Sequence, residues 1–188
     1  MKKTFMITGS ILVVVLVIVL TFWFVIWYIF GGNAYFNIVP KPEITYGEFP
    51  FTLKYELDGE IKVLEDTIIC EFDGFKVIGE AGKFRQWKTK IKSGGEKIIL
   101  WDTQQLDIRD DFGRKILEFY FSYGNGEYYM GDEYNSSNGE INSWIDYTYK
   151  NDDGTTGGSA YKSDVACEKY KIRLISWEVS PPITNSFK

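Results

Sequence analysis

Residues 11–30 of this chain form one apolar run in which Thr21 is the only clearly polar position. Twenty residues rising about 1.5 Å each span roughly 30 Å, the thickness of a bilayer's hydrocarbon core. Val, Ile and Leu fill its first half, and Phe22, Trp23, Phe24, Trp27 and Tyr28 its second. Trp and Tyr favour the headgroup level, where the ring stays apolar and the N–H or O–H meets water. Lys2 and Lys3 are the only charges near the N-terminal end. Positive charge stays on the cytoplasmic side, so the pattern predicts a signal anchor with its N-terminus inside. The expected organisation is a cytoplasmic stretch at 1–6, a transmembrane helix at 7–30, a linker at 31–42, an extracytoplasmic domain at 43–180 and a loose tail at 181–188. The competing reading is a cleaved signal peptide, with Gly32-Asn33-Ala34 offering small residues at the inspected positions. Its apolar centre would be longer than the usual one.

Beyond the run the period changes to two, the mark of half-buried strands. In 51–57, Phe51, Leu53, Tyr55 and Leu57 point one way and Thr52, Lys54 and Glu56 the other. Asp58-Gly59 is a turn. A three-residue loop ending at Glu60 would pair Leu57 with Ile61 and Tyr55 with Val63, keeping apolar residues on one face, and is the expected register. The stretch 67–72 is mostly apolar and predicts a strand covered on both faces. Residues 75–78 read as a brief separate strand. Further strands are expected at 85–91, 97–101 and 116–123, the last with Leu117, Phe119, Phe121 and Tyr123 together. Gly124-Asn125-Gly126 then turns into 127–130. Alternation returns at 143–149, with Ile145, Tyr147 and Tyr149 on one side. Residues 151–159 read as a polar, Gly-rich loop, and 165–169 as the one helical turn. The last strand, 170–179, is expected to face Arg173, Ile175, Trp177 and Val179 together before Pro181-Pro182 ends it. About nine short strands separated by turn signals predict an all-β domain, an antiparallel β-sandwich, with a barrel as the less favoured alternative.

Composition narrows the chemistry. The 188 residues contain no histidine and two cysteines. This excludes His-based nucleophile systems, H-E-x-x-H zinc sites and four-thiolate clusters built by this chain alone. Beyond the anchor 19 basic face 26 acidic residues, a net of −7, which argues against a nucleic-acid partner. No cofactor is expected. Outside the cytoplasm Cys70 and Cys167 are expected to form a disulfide, the alternative being two reduced, buried thiols.

Three groups are candidate sites. Tyr128, Tyr129, Tyr134 and Trp144 gather in a Gly- and Asn-rich stretch, and exposed rings there would stack on sugars; otherwise they fill the core. Glu71 and Asp73 flank Phe72 on one side of a strand, as a hydrolase's carboxylate pair would, or simply as surface charge. Asn151-Asp152-Asp153-Gly154 and the cluster Asp107, Asp110 and Asp111 carry hard oxygen donors without calcium-loop spacing, and read as solvated loops. Asn135-Ser136-Ser137 matches the glycosylation acceptor pattern.

The stretches PEITYGEFPFTLKYELDGE, EDTIICEFDGF and GKFRQWKTKIKSGGEKIILW, within 42–101, together with Tyr128-Tyr129-Met130-Gly131-Asp132, resemble small membrane proteins of Gram-positive bacteria. That group has no assigned activity, so the resemblance implies a single-pass topology and no site residues. The expected function is a non-catalytic, membrane-anchored domain that meets a protein partner at the cell surface. The alternatives are a cell-wall glycan-binding module and, more weakly, a carboxylate-pair hydrolase.

Overall fold

The computed structural model describes residues 2–28, 38–79, 82–132 and 143–188, with side chains from residue 13 onward. The chain falls into two units: Met1–Lys41 with Gly74–Gln86, and Pro42–Asp73 with Trp87–Lys188.

In the first unit, helix α1 runs from Lys2 to Trp27, so it begins five residues before the expected start at residue 7. Every side chain from 13 to 28 is exposed. Thr21 hides its hydroxyl by donating to Val17 O at 2.7 Å, the usual way a helix satisfies a lone Thr. Among the described residues no helix is long and apolar enough to cross a membrane. The described side chains of α1 number fifteen, fewer than the about 20 a bilayer core requires.

The second unit is built mainly from strands. They are β1 (Tyr46–Leu57), β2 (Glu60–Ile78), β3 (Gly82–Ile91), β4 (Ile98–Asp102), β5 (Lys115–Phe121), β6 (Trp144–Lys150), β7 (Thr156–Lys162) and β8 (Ile172–Val179), with β2 and β3 shared between the units. Two four-stranded sheets result, in the orders β3-β2-β1-β8 and β4-β5-β6-β7. The chain is thus mostly β, as its alternation predicts. Both sheets contribute to one buried cluster, with Phe51, Leu53 and Ile68 from the first and Ile98, Phe119, Phe121 and Ile145 from the second. Trp177 of β8 lies 4.8 Å, centroid to centroid, from Phe51 and 4.8 Å from Phe121, so one indole bridges the sheets. Tyr55 also donates across them to Leu100 O at 3.1 Å.

The β1–β2 register differs from the expected one. Leu57 pairs with Glu60, Glu56 with Ile61 and Lys54 with Val63, leaving a two-residue loop. Asp58 and Gly59 have φ of 53° and 82°. Positive φ at both central positions defines the tight hairpin turn whose twist matches the strands. Turn geometry therefore prevails over face matching, and Ile61 and Val63 are left 69% and 55% exposed.

Two bulges explain further departures. β8 skips Ile175 in pairing with β1, between Ser176 and Leu174. Ile172 is therefore buried and Trp177 half-buried against the core, while Arg173 and Ile175 face outward. β5 skips Leu117 against β6, so Ile116 joins Phe119 and Phe121 in the core. One inserted residue reverses the in–out parity of everything beyond it.

Other segments also change class. Residues 75–78 continue β2 past Gly74. Residues 126–129 form a helical turn, α2 (Gly126–Tyr129), capped by Asn125, whose side chain accepts from Tyr128 N at 3.1 Å. The expected loop at 151–159 is only a turn, and Thr156 onward is strand β7. Gly157 is needed there, because a Cβ would sit 2.5 Å from the Tyr149 hydroxyl. Helix α3 (Ser163–Tyr170) contains the expected helical turn.

The tail at 181–188 is tied down. Ile183 N donates to Tyr129 O at 3.0 Å, and Glu43 N to Ser186 O at 2.9 Å. Pro42, expected in the linker, is buried and bridges to Phe187. Asn185 clamps Ile44 twice, accepting from its N–H at 3.0 Å and donating to its carbonyl at 2.8 Å. Gly131, with φ of 64°, lets the tail approach, since a Cβ would lie 2.4 Å from Ile183 O. Replacing Asn185 with Ala should cost about 1–2 kcal/mol and speed amide exchange at Ile44; exchange unchanged from the parent chain would show the clamp to be idle.

Candidate functional site

The polar network richest in charge is built where the loop before β5 meets β6, β7 and α3. Asp110 is 7% exposed. Its Oδ1 accepts from Phe112 N at 2.9 Å and Arg114 N at 3.0 Å, and its Oδ2 from Arg114 Nε at 2.7 Å and the Tyr147 hydroxyl at 3.3 Å. Burial alone would raise this carboxyl's pKa. The guanidinium and the two amides outweigh it and hold Asp110 below the usual carboxylate range. Arg114 is also stacked 3.5 Å from the Tyr149 ring centroid. Beside it, Asp111 bonds Lys169 and the Tyr161 hydroxyl. The rings of Tyr147 and Tyr161 stack at 5.0 Å and 12°, and Tyr161 meets Tyr170 at 5.5 Å. Burial pushes the Tyr147 and Tyr161 phenols up to about 12. Both carboxylate oxygens of Asp110 are met from within the chain, so the network ties the loop before β5 to β6. The sequence offered Asp110 and Asp111 as a solvated loop. Arg114 is only four residues on, but Tyr147, which closes over Asp110, comes from β6, so spacing alone gave no sign of burial.

Among the described residues the rings of the predicted aromatic platform do not share one exposed face. Tyr129 is 1% exposed, packs at 5.0 Å on Phe49 and donates its hydroxyl to Tyr123 O. It is a core residue. Tyr128 is half-buried edge-on against it at 5.1 Å. Trp144 is 40% exposed on β6, with Lys162 Nζ 5.8 Å from its ring centroid. Tyr134 and Asn135-Ser136-Ser137 lie outside the described residues. Trp87 is buried and donates to Asp132 Oδ2 at 3.0 Å, and Trp101 stacks on Phe119 at 5.8 Å.

The expected disulfide is not formed. Both cysteines are free, Cys70 buried and Cys167 half-buried. They are held by different elements. Cys70 lies in β2 near Glu127 of α2, and burial raises its thiol to about 12. Cys167 sits on α3, which packs against β6, β7 and β8. Of the carboxylate pair, Glu71 bonds Lys90 at 3.2 Å, with both side chains more than two-fifths exposed. At Asn151-Asp152-Asp153-Gly154, Asp153 Oδ1 accepts from Thr155 N at 2.9 Å and its hydroxyl at 2.7 Å, so the donors close their own turn. Among the described residues no group of three acidic or thiol side chains converges to hold a metal.

Two features that sequence reasoning missed lie on the first sheet. Lys92 N donates to Thr67 O at the end of β3, and the chain then turns away toward β4. Among the described residues no further strand pairs with 60–66 of β2, which run along an open edge with Ile61 and Val63 exposed. Adjoining them, Pro50, Thr52, Glu65, Asp66, Glu178 and Ser180 line an open groove of about 660 Å³. Thr52 pairs with Glu65 on one side and Glu178 on the other, so the groove floor is flanked by acid. A second, smaller pocket of about 110 Å³ between Ser143, Ser163, Ser176 and Trp177 has room for a few waters only.

No family model, curated protein or solved structure matches this chain.

Proposed function

We propose that this chain is a single-pass, N-in membrane protein whose extracytoplasmic β-sandwich binds another protein and performs no chemistry itself. The observation that carries the binding role is the open strand edge at 60–66, with Ile61 and Val63 exposed on it. An unpaired edge offers a row of N–H and C=O groups to an incoming strand. The exposed apolar pair supplies contact area, and Glu65, Asp66 and Glu178 beside it favour a partner segment of basic character. The anchor is supported by the sequence of 11–30 and by the exposure of every described side chain of α1. Lipid is the solvent that such a surface requires.

The test is photocrosslinking in the producing cells. A crosslinker replacing Lys62 should capture a discrete partner, and Ile61→Asp with Val63→Asp should reduce that product at least tenfold without changing the thermal midpoint. Equal capture by the double variant would reject the edge as the binding surface.

A further inference from the structure

We propose that the hairpin formed by residues 74–78 of β2 and 82–86 of β3 docks on the anionic headgroup surface of the bilayer that holds the anchor. This rests on the anchored topology proposed above.

Three observations converge. The first is apolar exposure. Phe75 is 38% exposed, Val77 37% and Ile78 51%, and Ile38, in the same unit, is 95% exposed. Aromatic and aliphatic side chains beside long cations are the composition of membrane-interfacial surfaces, because the rings and stems enter the acyl boundary while the charged ends stay with the headgroups.

The second is charge. Residues 38–41 and 74–86 carry Lys41, Lys76, Lys83 and Arg85 against Glu80, a net of +3. The rest of the chain beyond residue 30 has 15 basic and 25 acidic residues, a net of −10. An anionic bilayer therefore attracts this hairpin and repels the remainder of the domain, which fixes the orientation as well as the contact. One of the cations is placed with the apolar residues: Lys83 Nζ stands 4.6 Å from the Phe75 ring centroid.

The third is the tether. Arg85 Nη1 donates to Pro40 O at 3.2 Å, so the hairpin is fastened to the segment that follows the anchor. From residue 30, where the apolar run ends, to Ile38 the chain reaches at most about 29 Å. The hairpin is confined near the membrane surface before any attraction acts.

The experiment uses the full chain reconstituted in vesicles of phosphatidylcholine alone or mixed with phosphatidylglycerol, with Cys167→Ser removing the half-buried thiol. A bimane label is placed in turn at Val77→Cys, at Val19→Cys within α1 and at Asp152→Cys in the turn before β7. Quenching by lipids brominated near the headgroup reports contact. The label at 77 should be quenched in phosphatidylglycerol vesicles and that at 152 should not. Lys76→Gln and Lys83→Gln should each lower the docked-to-free ratio about fivefold. If the label at 19 is shielded by lipid while that at 77 stays in water in both vesicle types, the hairpin proposal is overturned and the anchor stands. If the label at 19 is also in water, both fall. Quenching at 77 that is equal with and without phosphatidylglycerol, and unmoved by the Gln variants, overturns the anionic-surface claim.

Discussion

Phe121→Ala is expected to destabilise the β domain by about 3–5 kcal/mol. Phe121 is 1% exposed and meets Trp177 at 4.8 Å, one of the contacts through which the second sheet touches the first. Removing the ring deletes its transfer energy and leaves a cavity that two stacked sheets close poorly. Against a typical stability of about 5–15 kcal/mol, this is a large fraction. The thermal midpoint should fall by roughly 10 °C. Phe121→Leu should cost well under half as much, because most of the volume is kept. Trp177 fluorescence gives an independent readout, shifting to the red as water reaches the indole. A midpoint within a degree or two of the parent's would mean that the sheets do not share this core.

The second large effect is at Asp110. Asp110→Ala removes a buried carboxylate from Arg114, Tyr147 and two backbone amides at once. Because Arg114 keeps some access to solvent, the loss should lie at the lower end for a broken buried pair, about 3 kcal/mol. The pH dependence separates charge from packing. The folded-state pKa is depressed, so the contribution is present above the unfolded value of about 3.9 and is lost as pH falls through the lower folded value. Asp110→Asn keeps the shape and can still accept from the amides. The stability gap between it and the parent should therefore be full at pH 7 and close on acidification below about pH 4. Urea titrations across that range check this. A gap that is constant with pH would show that the Arg114 pair contributes nothing electrostatic.

Local pattern carried much of the fold. β1 was legible because Phe51, Leu53 and Tyr55 alternate cleanly with polar residues, and 68–70 because three consecutive apolar residues announce a strand covered on both faces. What remained hidden depended on single residues that break a period. Asp58 accepting a positive φ chose the two-residue turn and exposed Ile61 and Val63. Ile175 and Leu117, bulged out of their ladders, reversed the faces around them. Gly157 and Gly158 looked like a loop because a strand that must clear the Tyr149 hydroxyl has no side chains to display. The tail looked loose because its partners, Pro42, Ile44 and Tyr129, lie more than fifty residues away in the chain. The candidate site was less legible. Burial of Tyr129 and Asp110 is decided by tertiary packing, and an open strand edge is defined by where a neighbour stops. Neither leaves a mark in local composition.

The account depends most on where the β domain resides. With Cys167→Ser in place and Cys70 buried, Asp152→Cys puts one reactive thiol on an exposed turn. A membrane-impermeant maleimide added to intact producing cells should label it as fully as it does after lysis. Labelling that appears only after lysis would place the domain inside the cell and contradict the account.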